Sequence, residues 1–177
     1  MENTEAMKFA AAGFCLALVV AGCGSTKTVT VTNVVTTTVT KTVSTGPCTA
    51  SDLTATLDAV AGSAGAGNIV YALKIKNGGS SACDLTITSF QLLDSSGADN
   101  PTNVQPPPAA NIGAGESLGY NARFSPDVNG TGDNTNGPCQ PTSATLRITL
   151  GGGGTVDAPI SPPTSVCEKG SMTLTTA

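Results

Sequence analysis

Few residues in this 177-residue chain have types and spacing suited to chemistry, and cysteines lead them. Cys23 closes the run Val20-Ala21-Gly22-Cys23 at the end of an apolar stretch. Small residues just before a cysteine, after a short hydrophobic core, form the lipobox of a bacterial lipoprotein signal. This pattern predicts cleavage after Gly22 and a palmitate-class lipid on Cys23, with the chain exported and held at the outer face of the cell membrane. Cys15 departs with the signal. Cys48, Cys83, Cys139 and Cys167 remain, and an even number in an exported chain reads as disulfides.

Catalytic combinations are scarce. The chain has no histidine, which removes Ser–His–Asp and Cys–His systems and every His-based metal site. With four cysteines paired, no thiolate nucleophile remains and zinc loses its soft ligands. Glu116 and Glu168 are the only glutamates after residue 22. They read either as a glycosidase-style carboxylate pair or as acids on exposed loops. The expectation is a chain without catalytic residues, cofactor or metal.

Two loops are candidate contact regions. In the first, Asp127, Asn129 and Asp133 place oxygen donors at alternating positions with Gly132 sixth, like the start of a calcium loop, and Asn134 follows. The twelfth position, where a bidentate glutamate belongs, is Pro138, and no helices flank it. The other reading is an Asn/Gly-rich connection. The second region is Pro106, Pro107 and Pro108, which favour polyproline II. They suit either a ligand for an aromatic groove or a stiff crossover between two sheets. Gly151 to Gly154 lack the Lys-Ser/Thr and helix of a phosphate loop and read as a hairpin turn.

The elements that must position these residues follow from patterning. Residues 9–22 carry no charge and follow Lys8, a length that suits a signal core and falls short of the roughly 20 residues of a spanning helix. Glu2 and Glu5 are foreign to such a signal, so translation is expected to begin at Met7. Removing residues 1–22 leaves seven basic against ten acidic residues, net −3. Without a basic stripe, nucleic acid is not an expected partner. Residues 23–47 form a lipid-anchored linker in which valine and threonine alternate. It reads as an extended stalk, stiffened by β-branched side chains and a candidate for O-glycosylation, with an adhesive β segment as the alternative. Its span is at most ~80 Å when extended.

From Cys48 the texture changes to short alternating runs separated by Gly, Pro, Asn and Ser. Leu53, Ala55, Leu57 and Ala59 share one strand face, and Ile69, Tyr71, Leu73 and Ile75 share the next, with residues 62–67 turning between them. Leu85 and Ile87 keep one parity while Phe90 and Leu92 keep the other, which predicts a β-bulge near Ser89. Leu118, Tyr120, Ala122 and Phe124 mark another strand. Leu146, Ile148 and Leu150 mark the next, then Val156, Ala158 and Ile160, and finally Met172 and Leu174. About seven strands over residues 48–177 predict an all-β fold, an antiparallel immunoglobulin-like β-sandwich. Four cysteines allow three pairings. Cys48 precedes the first strand and Cys83 follows the second of the same hairpin. Cys139 and Cys167 bracket the later hairpin in the same way, so Cys48–Cys83 and Cys139–Cys167 are expected.

These residues resemble a known family. Cys48-Thr-Ala-Ser-Asp52-Leu53, the strand Tyr71 to Asn77, Cys83-Asp-Leu85 and Leu92-Leu93-Asp94 before Gly97 look like domain-of-unknown-function family 4232. Ile112-Gly-Ala-Gly115-Glu-Ser117-Leu118 resembles its Leu-x-Pro-Gly-x-Ser element, with Ala114 where proline is common. Cys139, Leu146-Arg147-Ile148 and Cys167 complete the likeness. The resemblance implies an exported actinobacterial protein, often a lipoprotein, with an immunoglobulin-like sandwich, and it carries over no catalytic residues. The expected function is non-enzymatic binding or cell-envelope interaction, with an unidentified envelope protein or glycan as partner. The alternatives are a carboxylate-dependent hydrolase of envelope glycans and a passive structural spacer.

Overall fold

A computed structural model describes residues 45–177. The signal run, Cys23 and almost all of the linker lie outside the described residues. The chain forms β1 (Gly46–Pro47), β2 (Leu53–Ala59), β3 (Ile69–Asn77), β4 (Cys83–Leu85), β5 (Ile87–Leu93) and β6 (Asp99–Asn100). It continues through β7 (Asn103–Val104), β8 (Ala110–Ile112), β9 (Ser117–Phe124), β10 (Thr142–Leu150), β11 (Thr155–Ser165) and β12 (Ser171–Thr176). Seven of these are long strands, and they carry the alternating runs seen in the sequence. In β3, Tyr71, Leu73 and Ile75 are buried while Lys74 and Lys76 are exposed, because successive side chains point to opposite faces.

Nine strands run in the order β6-β5-β10-β11-β2-β3-β9-β12-β7. The outermost two, β6 and β7, are separated along the chain only by Pro101 and Thr102. The sheet therefore has to curl until its first and last strands meet. Thr102 holds that meeting: its Oγ1 accepts the Leu92 amide at 2.8 Å and donates to the Asn100 carbonyl at 3.0 Å. The seam between the halves is the two-residue parallel contact of Ile160 and Ser161 in β11 with Leu57 and Asp58 in β2. One core joins them: Leu57, Leu73 and Ala122 from one half pack with Leu146, Ile148 and Ala158 from the other, all at most 1% exposed.

Several refinements to the sequence reading emerge. The pairing is mostly antiparallel, but β1–β4, β11–β2 and β12–β7 are parallel. The third run splits at Thr86: β4 pairs with β8 in a small sheet, whereas β5 pairs with β10. The bulge lies where expected, since Thr149 opposes Ser89 and Leu150 opposes Ile87, leaving Thr88 unpaired. The last linker residues already contact the domain. Gly46 and Pro47 already pair with Cys83 and Asp84, and the Thr45 hydroxyl donates to the Asp84 carboxylate at 2.7 Å.

The disulfides are Cys48–Cys83 and Cys139–Cys167, as expected. Buried polar groups that the patterning left unnoticed are all satisfied. The Asn77 side chain donates to the carbonyls of Ser81 and Ile112 and accepts the Gly79 amide. Asn100 donates to Ser143 Oγ at 2.9 Å and to the Thr142 carbonyl.

Candidate functional site

The two candidate loops differ in what they leave available. In the Asp127 loop, Asp133 is half-buried and its carboxylate is fully engaged. Oδ2 accepts the Gly130 amide at 2.8 Å and the Glu168 amide at 2.6 Å; Oδ1 accepts the Lys169 amide at 2.9 Å and Gln140 Nε2 at 2.6 Å. Burial pushes its pKa upward, but the donors at Gly130, Gln140, Lys169 and Glu168 outweigh it and hold the carboxyl far below the usual range. The amides of Glu168 and Lys169 reach it because the turn Cys167–Gly170 puts both residues in left-handed backbone, φ 54° and 56°. Such geometry costs of order 1 kcal/mol per non-glycine residue, and the carboxylate offsets that cost. At Gly170, φ is 76° and a Cβ would lie 1.9 Å from the Pro101 carbonyl oxygen, so only glycine fits.

The same geometry takes the Asp133 carboxylate out of the calcium reading of this loop. Asn129 Nδ2 donates to the Asn134 carbonyl, and Asn134 Oδ1 accepts the Asn136 amide. The Asp133 carboxylate and Asn134 Oδ1 thus serve backbone amides and Gln140, while Asp127 is exposed. The sulfurs of Cys139 and Cys167 lie close to the Asp133 carboxylate but are bonded to each other, so they offer no thiolate. The loop locks one end of the sandwich.

The proline connection behaves differently. β7 pairs with β12 only at Asn103–Ser171 and Val104–Met172. Beyond Val104 the chain enters Pro106, Pro107 and Pro108, which have no amide proton to extend a ladder. The connection lifts away from β12 and descends into β8, in the small sheet. A groove of about 500 Å³ opens beneath it, within the range of small-molecule sites. Its walls are the prolines on one side and Leu118, Tyr120, Met172 and Leu174 on the other, with Gln105 and Thr176 among the polar residues, and no charged residue lines it.

Tyr120 is the distinctive group in that groove. It is 5% exposed, and its hydroxyl has no hydrogen-bond partner among the described residues. Every fully buried side-chain polar atom there does have a partner. The Tyr120 hydroxyl is therefore not sealed in, and the groove is the cavity this residue lines. Burial raises its pKa, which keeps it a protonated donor at neutral pH. Tyr71 makes the contrast: its hydroxyl donates to the Pro162 carbonyl at 2.9 Å.

Glu116 and Glu168 do not converge. Glu116 Oε2 accepts the Gly113 amide in the turn before β9, whereas Cys167, beside Glu168, donates its amide to Ser125 just after β9. The eight residues of β9 separate them by roughly 25 Å of strand, beyond the ~5–9.5 Å of a glycosidase pair.

The family described as domain of unknown function (DUF4232) matches residues 48–177. The chain belongs to that family. The matched span starts at the first disulfide cysteine and includes both the Asp133 loop and the proline-walled groove. No curated protein and no solved structure matches the chain. Among the described residues, no helix is long and apolar enough to cross a membrane.

Proposed function

We propose that this member of the family is a non-enzymatic binding module, lipid-anchored through Cys23 at the outer face of the cell membrane. The Thr/Val linker carries the sandwich away from the bilayer. The groove beneath Pro106, Pro107 and Pro108 is its contact region. The observation that supports this reading is the groove itself: an apolar recess without charged residues, onto which the Tyr120 hydroxyl opens with no partner among the described residues. Export is in keeping with the two disulfides, which persist in oxidising compartments.

Two measurements test it. Fatty-acid labelling of cells should mark the protein, and Cys23→Ala should abolish the label. A photoreactive residue at position 107 should give a discrete crosslinked product on intact cells, while one at exposed position 128 should not. Labelling that survives Cys23→Ala would remove the anchor, and absence of any position-107 product would favour the spacer.

A further inference from the structure

We infer that the groove takes a single uncharged acyl chain whose head carries a carbonyl acceptor, with Tyr120 as the residue that reads that acceptor. This rests on the groove being the contact region. Charge comes first. No Lys, Arg, Asp or Glu lines the recess, so an ionised head would lose its hydration and find no counter-charge. Shape comes next. Leu118, Met172 and Leu174 belong to strands whose inner faces form the core, so the floor is core-like surface left uncovered by the proline connection. Apolar matter that covers it gains the usual burial free energy.

Hydrogen bonding then selects the head group. Tyr120 is nineteen-twentieths buried as a residue, and its protonated hydroxyl opens onto the recess with no partner among the described residues. An acyl chain that fills the recess takes water away from that hydroxyl, so it binds best when it supplies an acceptor in the water's place. An ester carbonyl does so without charge. Gln105 and Thr176 line the same recess and supply polar contact for the rest of the head. An added peptide strand would need a run of matched backbone partners instead. The β12 edge beyond Met172 offers such partners on one side only, because the three prolines opposite it have carbonyls and no amides.

The test uses isotope-labelled full chain titrated with three probes: methyl decanoate, decane and decanoate. Binding is read from the backbone amides of Gly119, Thr173 and Leu174. Methyl decanoate should shift these amides and bind roughly five-fold more tightly than decane, the worth of one neutral hydrogen bond. Decanoate should bind at least roughly ten-fold more weakly than the ester. Tyr120→Phe should bring the ester down to the level of decane and leave decane unchanged. Leu174→Trp should block all probes, and Thr176→Trp at the exposed rim does so even if the first variant folds poorly.

Equal affinity of ester and decanoate, or an ester preference that survives Tyr120→Phe, would overturn the inference. So would groove amides that move only with a synthetic peptide of residues 27–35. If no probe moves them while position 107 still crosslinks on cells, the ligand class is wrong and the binding module stands. If both fail, the groove is not a contact region.

Discussion

The Asp133 loop and the proline-walled groove are both flanked by prolines and both sit at the margins of the sandwich, yet they use polarity in opposite ways. At the loop, a carboxylate meets four donors, two of them the amides of left-handed residues, beside a buried disulfide. That carboxylate has no oxygen left over for a ligand. At the groove, apolar side chains meet a gap, and the Tyr120 hydroxyl opens onto it with no partner among the described residues. The loop looks richer in chemistry and spends it on structure; the groove looks poorer and leaves its tyrosine hydroxyl open. Counting oxygen donors in a loop is therefore a weak guide to ligand sites unless the backbone amides that compete for them are counted too.

The comparison can be broken first at the disulfide. Replacing Cys139 and Cys167 by alanine should lower stability by up to about 3.5 kcal/mol on the chain-entropy model for a separation of 28 residues. Chemical denaturation would measure it, and shifts at Gly119 and Leu174 should stay small. A variant that loses the groove signals while still folded would join the two regions into one site.

The tyrosines sharpen the contrast on a smaller scale. Tyr71→Phe strands the Pro162 carbonyl and should cost about 1 kcal/mol. Tyr120→Phe breaks no bond in the described protein and should be close to neutral. Equal losses would mean that Tyr120 has a structural partner.

The smallest effect is a pH dependence. The folded pKa of Asp133 is depressed, so its contribution is fully present above the ordinary carboxylate pKa of about 3.9 and is lost as pH falls through the folded value. The melting-temperature gap between the parent and Asp133→Asn should be constant from neutral pH to about 5 and then shrink in acid. A gap that widens with acid would reverse the sign and remove Asp133 from its role.

Much of the scaffold was legible because strand faces are written locally. Ile69, Tyr71, Leu73 and Ile75 repeat every second residue, the parity break between Ile87 and Phe90 marks the bulge, and the order of strands limits which cysteines meet. The rest depends on partners with no side-chain signature. Asp133 is held by the amides of Glu168 and Lys169, 35 and 36 residues away, and any residue types could supply them. Asn77 and Asn100 are buried for the same reason, although Asn77 continues the core parity of Ile75, a polar residue at an apolar position. The groove was half visible. The missing amides of Pro106, Pro107 and Pro108 announced that a ladder would stop, but the opposite wall comes from β9 and β12, and its distance is a property of the curled sheet.

The groove, and not the Asp133 loop, is the proposed ligand site. A crystal structure determined with methyl decanoate tests it most directly. The acyl chain should lie beneath Pro106, Pro107 and Pro108, against Leu118, Met172 and Leu174, with its carbonyl oxygen within hydrogen-bond distance of Tyr120 Oη. An ester bound at residues 127–136, or a groove that stays empty at saturating ester, would contradict it.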